Sequence, residues 1–259
     1  MSSFRAEQIL EVARRSFLRS IRQPATVVPS LIFPLFLLAV NTAGLDATTE
    51  IPGFPTDSYL SFALAVPFIQ GGIFSLLNAG TDLATDIESG FLNRLALTPL
   101  GGASLLAGTL GGAMALGLVQ AFAFMAVGFA AGAEFAAGIA GIPVLIALSL
   151  AISFSFGCIG TFFALRVGTG EAMQSLFPIF FVFLFFSSMA LPRDLIEQGW
   201  FRTIADLNPV SYLIEGVRSL YIIGFDAEAL GLAFGVAFTL AVVFLSSAAV
   251  SLRTRLVRT

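Results

Sequence analysis

The sequence predicts an all-α polytopic membrane protein with six transmembrane helices. Of its 259 residues, 57% are hydrophobic and only 11% are charged, and the mean hydropathy is +0.94. Soluble domains carry about 25% charged residues, so this chain must place much of its apolar surface in lipid. Six apolar runs are long enough to cross a bilayer, which takes about 20 residues. No polar stretch is long enough to form a separate soluble domain.

An amphipathic helix is predicted before the first span, at residues 4–22. Apolar residues recur at spacings of three and four from Leu10 to Ile21, and the arginines face elsewhere. We therefore expect residues 1–24 to form a cytoplasmic helix that lies in the membrane interface. Residues 25–259 are expected to form one six-span transmembrane domain.

The order of spans and loops follows from the apolar runs and from the arginines. The spans are expected at residues 25–44, 59–81, 100–131, 139–165, 172–191 and 229–252. Most arginines lie in the N-terminal segment, the loops after spans two and four, and the C-terminus. The positive-inside rule therefore predicts a multi-pass protein of the plasma (inner) membrane with both termini cytoplasmic. Glycines four residues apart, such as Gly231 and Gly235, allow close helix packing within one subunit or between two.

Two missing residue types exclude several kinds of chemistry. The chain has no histidine, which removes His-based metal sites and Ser-His or Cys-His nucleophile pairs. It also has no lysine, and a Walker A loop needs its lysine to reach the nucleotide phosphates. We therefore predict a non-enzymatic chain without a cofactor of its own, in which any ATP is bound by another polypeptide. The lone Cys158 lies in an apolar run and is expected to be a buried hydrophobic residue.

Two polar segments interrupt the apolar pattern. Residues 82–99, between spans two and three, are charged and able to form a helix. Residues 192–221, between spans five and six, contain Asn208 as an N-cap before Pro209, which predicts a helix start. The following helix is expected to lie half-immersed at the external surface beside a short helical partner. Its polar face is expected to hold an i,i+3 ion pair between Glu215 and Arg218.

These two segments also carry a family resemblance. Residues 86–99 read as acids, a glycine, an apolar pair, Arg-Leu and Thr-Pro, an order similar to the cytoplasmic loop of ABC-2-type exporter permeases, the daunorubicin-resistance-like family. Residues 208–218 look like the Asn-Pro-Leu-Thr-Tyr…Arg segment before the last span of that family. The resemblance implies the transmembrane subunit of an ABC exporter of the multidrug-resistance type. It also implies a coupling helix at 82–99 that docks on a separate ATPase subunit.

Three groups of residues are candidates for a role in such a transporter. The expected ATPase-docking residues, with apolar anchors four residues apart and charges at the rim, are Leu83, Asp86, Ile87, Glu88, Phe91 and Arg94. The expected external gate helix contributes Asn208, Pro209, Tyr212, Glu215 and Arg218. Residues that line a possible pathway are Gln70, Asn78, Gln120, Gln174, Phe177 and Phe181.

The expected assembly pairs this chain with other subunits. One coupling segment per chain makes half of a two-fold transporter, so we expect a homodimer, with spans one and five at the interface. Two ABC ATP-binding subunits would hold ATP and Mg. Membrane lipids are expected contacts and nucleic acid is not.

The cargo and the mode of action leave alternatives. Neutral polar groups and abundant phenylalanine favour export of an amphipathic drug or lipid-like molecule. A polysaccharide- or glycolipid-exporting permease of the same superfamily is one alternative, and an ATP-independent channel or scaffold is another. An intramembrane enzyme is disfavoured because no predicted span holds an Asp or Glu near its centre.

Overall fold

The computed structural model describes residues 14, 18, 24–90 and 102–258. These residues form α-helices and two short 3-10 helices, and no strand occurs among them. In chain order the α-helices are α1 (Pro24–Leu45), α2 (Tyr59–Ala63), α3 (Ala65–Glu88), α4 (Gly102–Ala130), α5 (Gly138–Val167), α6 (Gly170–Ser175), α7 (Phe177–Phe185), α8 (Gly199–Leu207), α9 (Pro209–Ile222) and α10 (Ala227–Arg258).

Local sequence explains where several of these helices begin and end. The hydroxyl of Ser58 accepts a hydrogen bond from the Ser61 amide and caps α2, and Thr169 caps α6 through the Ala172 amide. Helix α5 ends at Val167 and is followed by Gly168, whose φ of 79° lies in the left-handed region that favours glycine.

Five of the predicted spans are helices that are long and apolar enough to cross a membrane, among the described residues. The fifth predicted span, 172–191, is instead a shorter apolar segment made of α6 and α7. The two helices separate at Leu176, just before Pro178, which has no amide hydrogen to donate to the preceding turn. Turns follow Phe185, so the structure does not confirm a sixth full-length span.

Two predicted helices fall largely outside the described residues. Of the amphipathic helix expected at residues 4–22, only Arg14 and Leu18 are described, and both are helical. Of the coupling segment expected at 82–99, residues up to Gly90 are described, and α3 extends through Glu88 before a turn.

A glycine-lined seam between α3 and α5 forms the centre of the bundle. A Cβ added to Gly160 would overlap the carbonyl oxygen of Leu76, and one added to Gly80 would lie 3.0 Å from the carbonyl oxygen of Gly160. Backbones approach this closely only where both helices offer residues without a side chain. The seam therefore fixes the position of α3 against α5.

The other helices are packed unevenly around this seam. In the most apolar stretch of α2–α3, 89% of residues are buried, whereas the values for α1 and α10 are 17% and 22%. Large apolar side chains on α1, α7 and α10 are exposed, including Phe36, Phe183, Phe185 and Phe238. Because the chain is embedded in lipid, these faces are available to acyl chains or to another protein.

Candidate functional site

The end of α3 carries the described part of the predicted docking segment. Leu83 is 1% exposed and belongs to the hydrophobic core, so it does not offer an apolar anchor to a partner. Ile87 is half-buried against the same core, Asp86 is half-buried and Glu88 is exposed. The predicted docking residues Phe91 and Arg94 lie outside the described residues.

The same end of the bundle brings three chain segments together. A carboxylate oxygen of Glu88 accepts a hydrogen bond from the Gly170 amide at 3.4 Å, which joins α3 to the start of α6. Nearby, Nε of Arg255 on α10 donates to the Leu165 carbonyl oxygen at 2.8 Å. The segment predicted to dock a partner is thus hydrogen-bonded to the first residue of α6.

Asn208 joins α7 to α9 at the opposite end of the bundle. Its Oδ1 accepts a hydrogen bond from the Val210 amide at 2.9 Å, and Pro209 occupies the first turn, which confirms the predicted N-cap. Its Nδ2 donates to the carbonyl oxygens of Phe183 and Phe186, at 2.6 and 2.8 Å. These two carbonyls lie at the end of α7, where no further helical turn satisfies them.

Arg218 was expected on an exposed polar face of α9, but it is buried in the structure. Helix α9 packs against α10, α3 and α2, so both of its faces are covered, and Arg218 is 6% exposed. Its Nε donates to the Phe62 carbonyl oxygen at 3.1 Å, and its guanidinium lies 3.5 Å above the Phe62 ring centre. The expected Glu215–Arg218 ion pair is wrong, because Glu215 pairs with Arg193 instead.

Arg193 is the functional candidate that sequence reasoning missed. Its Nη2 and Nε donate to the two carboxylate oxygens of Glu215, at 2.6 and 2.8 Å. Its guanidinium also lies 4.5 Å above the ring of Tyr212, whose hydroxyl donates to the Asp206 carbonyl oxygen. A bidentate pair of this kind fixes the Pro192 turn against α9. The sequence signal was the Pro192-Arg193 step at the end of a long apolar run.

A cleft of about 540 Å³ opens beside this network, at the end of the bundle where α2 begins. Its lining combines Arg193 and Arg218 with carboxylates from the turn after α7, from α8, from α9 and from the start of α10. Among the described residues, no three His, Cys, Asp or Glu side chains are grouped closely enough to hold a metal ion. The lining offers fixed charges and hydrogen-bond donors to a ligand.

The predicted pathway residues do not share one surface. Gln70 and Gln120 are each 1% exposed, and their amide atoms have no hydrogen-bond partner among the described residues. Phe181 is also buried, whereas Gln174 is exposed. The other two predicted residues, Asn78 and Phe177, are buried and half-buried respectively.

One aromatic group brings α1, α3 and α7 together. The Phe74 ring lies between Phe33 of α1 and Phe177 of α7, with ring centres 6.4 and 5.7 Å apart respectively. Phe33 also contacts Phe181, at 5.6 Å between ring centres. The predicted residues of the fifth span therefore lie against α1 and α3 within one protomer.

Comparison with known sequences finds one family over most of the chain. The sequence profile of a family described as "ABC-2 type transporter" matches residues 7–222. This range includes the segment at the end of α3, the Arg193 network and all of α9.

Curated relatives agree with this match. A protein of Porphyra purpurea named "Putative transport permease ycf38" is 31% identical over 218 residues, which cover 83% of this chain and 74% of the relative. Proteins of the same name from Cyanophora paradoxa and Pyropia yezoensis are 28% and 30% identical, and cover 85% and 83% of this chain. They span 76% and 74% of those relatives.

Proposed function

Because the chain belongs to the ABC-2 type transporter family, we propose that it is the transmembrane subunit of an ATP-driven exporter. The observation that carries this proposal is the family match over 7–222. Membership implies an ABC ATP-binding subunit as a partner. The absence of lysine from the whole sequence supports the assignment of ATP and Mg to that partner, because a Walker A loop needs lysine.

The docking surface for the ATPase is the end of α3 together with the residues that follow it. Ile87 supplies the described apolar contact, and Asp86 and Glu88 lie at its rim. Phe91 and Arg94 continue the same segment. Leu83 is excluded because it packs inside the protomer. In such an interface the apolar contact contributes most of the affinity and the rim charges set orientation and association rate.

A second copy of the permease completes the transporter. Support comes from α1 and α7, which meet through the Phe33–Phe181 ring contact and both carry exposed apolar side chains, including Ile32, Phe36, Val182 and Phe183. A two-fold pairing through this face would be isologous, and two copies would present two docking surfaces to two ATPase subunits.

The cargo of the transporter is an amphipathic drug or lipid-like molecule. Exposed apolar faces on α1, α7 and α10 let such a molecule approach from the bilayer, and buried polar atoms on α3 and α4 are uncharged amides and hydroxyls. We place the protein in the plasma (inner) membrane with both termini cytoplasmic, because most of its arginines lie on that side of the predicted topology.

The proposal is tested by substituting Ile87→Asp and measuring how much ATPase subunit is retained in a pull-down. A carboxylate placed against an apolar groove costs several kcal/mol, and each 1.4 kcal/mol lowers affinity about tenfold. We therefore expect partner retention to fall more than about tenfold, and Phe91→Asp to act in the same way. Arg94→Ala should have a smaller effect because it removes only a rim charge.

The matched control is Ile51→Asp, the same substitution at an exposed isoleucine in the loop between α1 and α2. This loop is at the opposite end of the bundle, so Ile51→Asp should retain the partner fully. Protease protection checks that all variants insert into the membrane. If Ile87→Asp and Ile51→Asp retain equal amounts of the ATPase, the end of α3 is not the docking surface.

A further inference from the structure

The cleft beside α9 has a buried charge at its floor. Arg218 is 6% exposed, and three backbone carbonyls satisfy part of its guanidinium. Nε donates to Phe62, and Nη2 donates to Ser188 and Met189, at 3.0 and 3.2 Å. Its Nη1 makes no hydrogen bond to any described residue, although the side chain lines the cleft. The unused N–H donors of Nη1 are therefore the ones available to an acceptor in the cleft.

No carboxylate contacts Arg218 directly among the described residues. Burial lowers the pKa of its guanidinium to about 9, and the more distant Glu215 and Tyr59 oppose that shift. The side chain therefore remains protonated at neutral pH. A buried cation that is bound only by neutral carbonyls and by the Phe62 ring favours an anionic partner.

The rim of the cleft carries the opposite charge. Arg193 is already neutralised by Glu215, and its Nη1 also donates to Asp206 at 3.4 Å. Asp194, which lines the cleft, pairs at 2.9 Å with Arg202, which does not. Asp226 caps α10 with one oxygen, which accepts from the Glu228 and Ala229 amides. Two arginines and four carboxylates line the cleft, and when Arg202 is counted with its partner Asp194 the net charge of the group is −1.

This distribution selects one class of ligand. A purely anionic group would be attracted by Arg218 but repelled by the net charge of the rim, and a purely cationic group would leave Nη1 unused. A zwitterion with its anionic group deepest satisfies both. Ile223 lines the cleft and is exposed, so the ligand can also have an apolar part.

We propose that the cleft binds the zwitterionic headgroup of an amphipathic lipid, with a phosphodiester at Arg218 and an ammonium group at Asp226 and Asp206. This inference rests on the proposed function, since it names the cargo class of the same exporter. The volume of about 540 Å³ lies within the range of roughly 300–1,000 Å³ that is typical of ligand pockets.

The proposal is tested by titrating the purified full-length chain in detergent with two short-chain lipids. Dihexanoyl phosphatidylethanolamine carries the proposed zwitterion, and dihexanoyl phosphatidylglycerol is its anionic counterpart with the same tails. Isothermal calorimetry should show at least about tenfold tighter binding of the ethanolamine lipid, a difference of about 1.4 kcal/mol. Equal affinity for the two headgroups would overturn the proposal.

The charge of the rim is tested with the double variant Asp206→Asn and Asp226→Asn, in which asparagine keeps an oxygen that can cap α10. Arg193 keeps its bidentate contact with Glu215 in this variant, so the turn after α7 should stay in place. We expect the preference for ethanolamine over glycerol to disappear. Glu197→Gln, which removes an exposed carboxylate outside the lining, should leave the preference unchanged. Unchanged preference in the double variant, or an equal loss in Glu197→Gln, would refute the role of the rim.

The phosphodiester contact is tested without altering Arg218. This side chain donates hydrogen bonds to three backbone carbonyl oxygens, and its removal is expected to destabilise the fold. A dihexanoyl ammonium lipid without phosphate should bind at least about tenfold more weakly than the ethanolamine lipid. Equal binding would show that Arg218 does not contact the ligand.

Retention of the ATPase subunit is measured separately in the pull-down. Headgroup selectivity without an ATPase partner would remove the proposed export function and leave the cleft assignment standing. Retention of an ATPase partner without headgroup selectivity would support the export function and overturn the assignment of the cleft.

Discussion

The helix formed by α2 and α3 and the last helix, α10, have similar lengths of 30 and 29 residues in their apolar segments, yet they are packed in opposite ways. In their most apolar stretches, 89% of the residues of the first and 22% of those of the second are buried. Glycines of α3 and α5 meet backbone to backbone, whereas a Cβ added to Gly231 or Gly235 of α10 would meet nothing within 4 Å. The difference separates helices that stabilise the protomer from helices that face lipid or another subunit.

The largest expected change in stability comes from replacing a glycine by alanine in the α3–α5 seam, compared with the same replacement on α10. Gly160→Ala places a Cβ on the Leu76 carbonyl oxygen and should force α3 and α5 apart. Overpacking of this kind costs about 1–3 kcal/mol or more. Gly235→Ala should be neutral or stabilising, because alanine is a better helix former than glycine by about 1 kcal/mol.

Denaturant unfolding of both variants in detergent measures this contrast. The two glycines differ only in what surrounds them, so each variant controls for the other. Equal stabilities would mean that the α3–α5 seam does not hold the protomer together.

A cross-linking experiment sharpens the comparison between the exposed faces. In a Cys158→Ser background, we expect Val182→Cys on α7 to form a disulfide-linked dimer in membranes and Phe238→Cys on α10 to stay monomeric. Both positions are about half or more exposed, so exposure alone does not distinguish them. Cys158 is buried, and its replacement removes the only native thiol. Cross-linking through Phe238→Cys alone would place the second copy on α10.

The smallest expected effect concerns the buried amide of Gln120. Its side chain lies against Gly71 of α3, and its two polar atoms have no partner among the described residues. Gln120→Leu replaces it with an apolar group, and we expect stability to change by less than about 1 kcal/mol or to rise. Gln174→Leu, at an exposed position, is the control.

The same unfolding measurement in detergent applies to both variants. A loss of more than about 2 kcal/mol for Gln120→Leu would show that the amide is hydrogen-bonded in the native state. In that case α3 and α4 are joined by a polar contact as well as by packing.

Much of this architecture could be predicted from the sequence because span length and capping are local properties. The apolar runs located α1, α3, α4, α5 and α10, and Asn208 with Pro209 located the start of α9. The break at Leu176 is also local in origin, since it precedes a proline, but nothing in the hydropathy pattern separates a kinked span from two short helices.

Contacts between distant segments were less predictable. Spacing suggested Glu215 and Arg218 as a pair, but α9 is buried on both faces, and the bidentate partner of Glu215 is Arg193, 22 residues away. Glycine spacing likewise pointed to Gly231 and Gly235, which are open. The close approach uses Gly80 and Gly160, which lie on different helices and share no sequence pattern.

The seam between α3 and α5 has a mechanical consequence. With a rise of 1.5 Å per residue, the 30 residues of α2 and α3 form a rod about 45 Å long. At one end Glu88 is hydrogen-bonded to α6, and at the other the Phe62 carbonyl oxygen accepts a hydrogen bond from Arg218. Because α3 packs closely against α5, we expect a displacement at one end of α3 to reach the other end. If the proposed ligand and the proposed ATPase subunit favour different positions of α3, their binding is linked, and each changes the affinity of the other by the same factor.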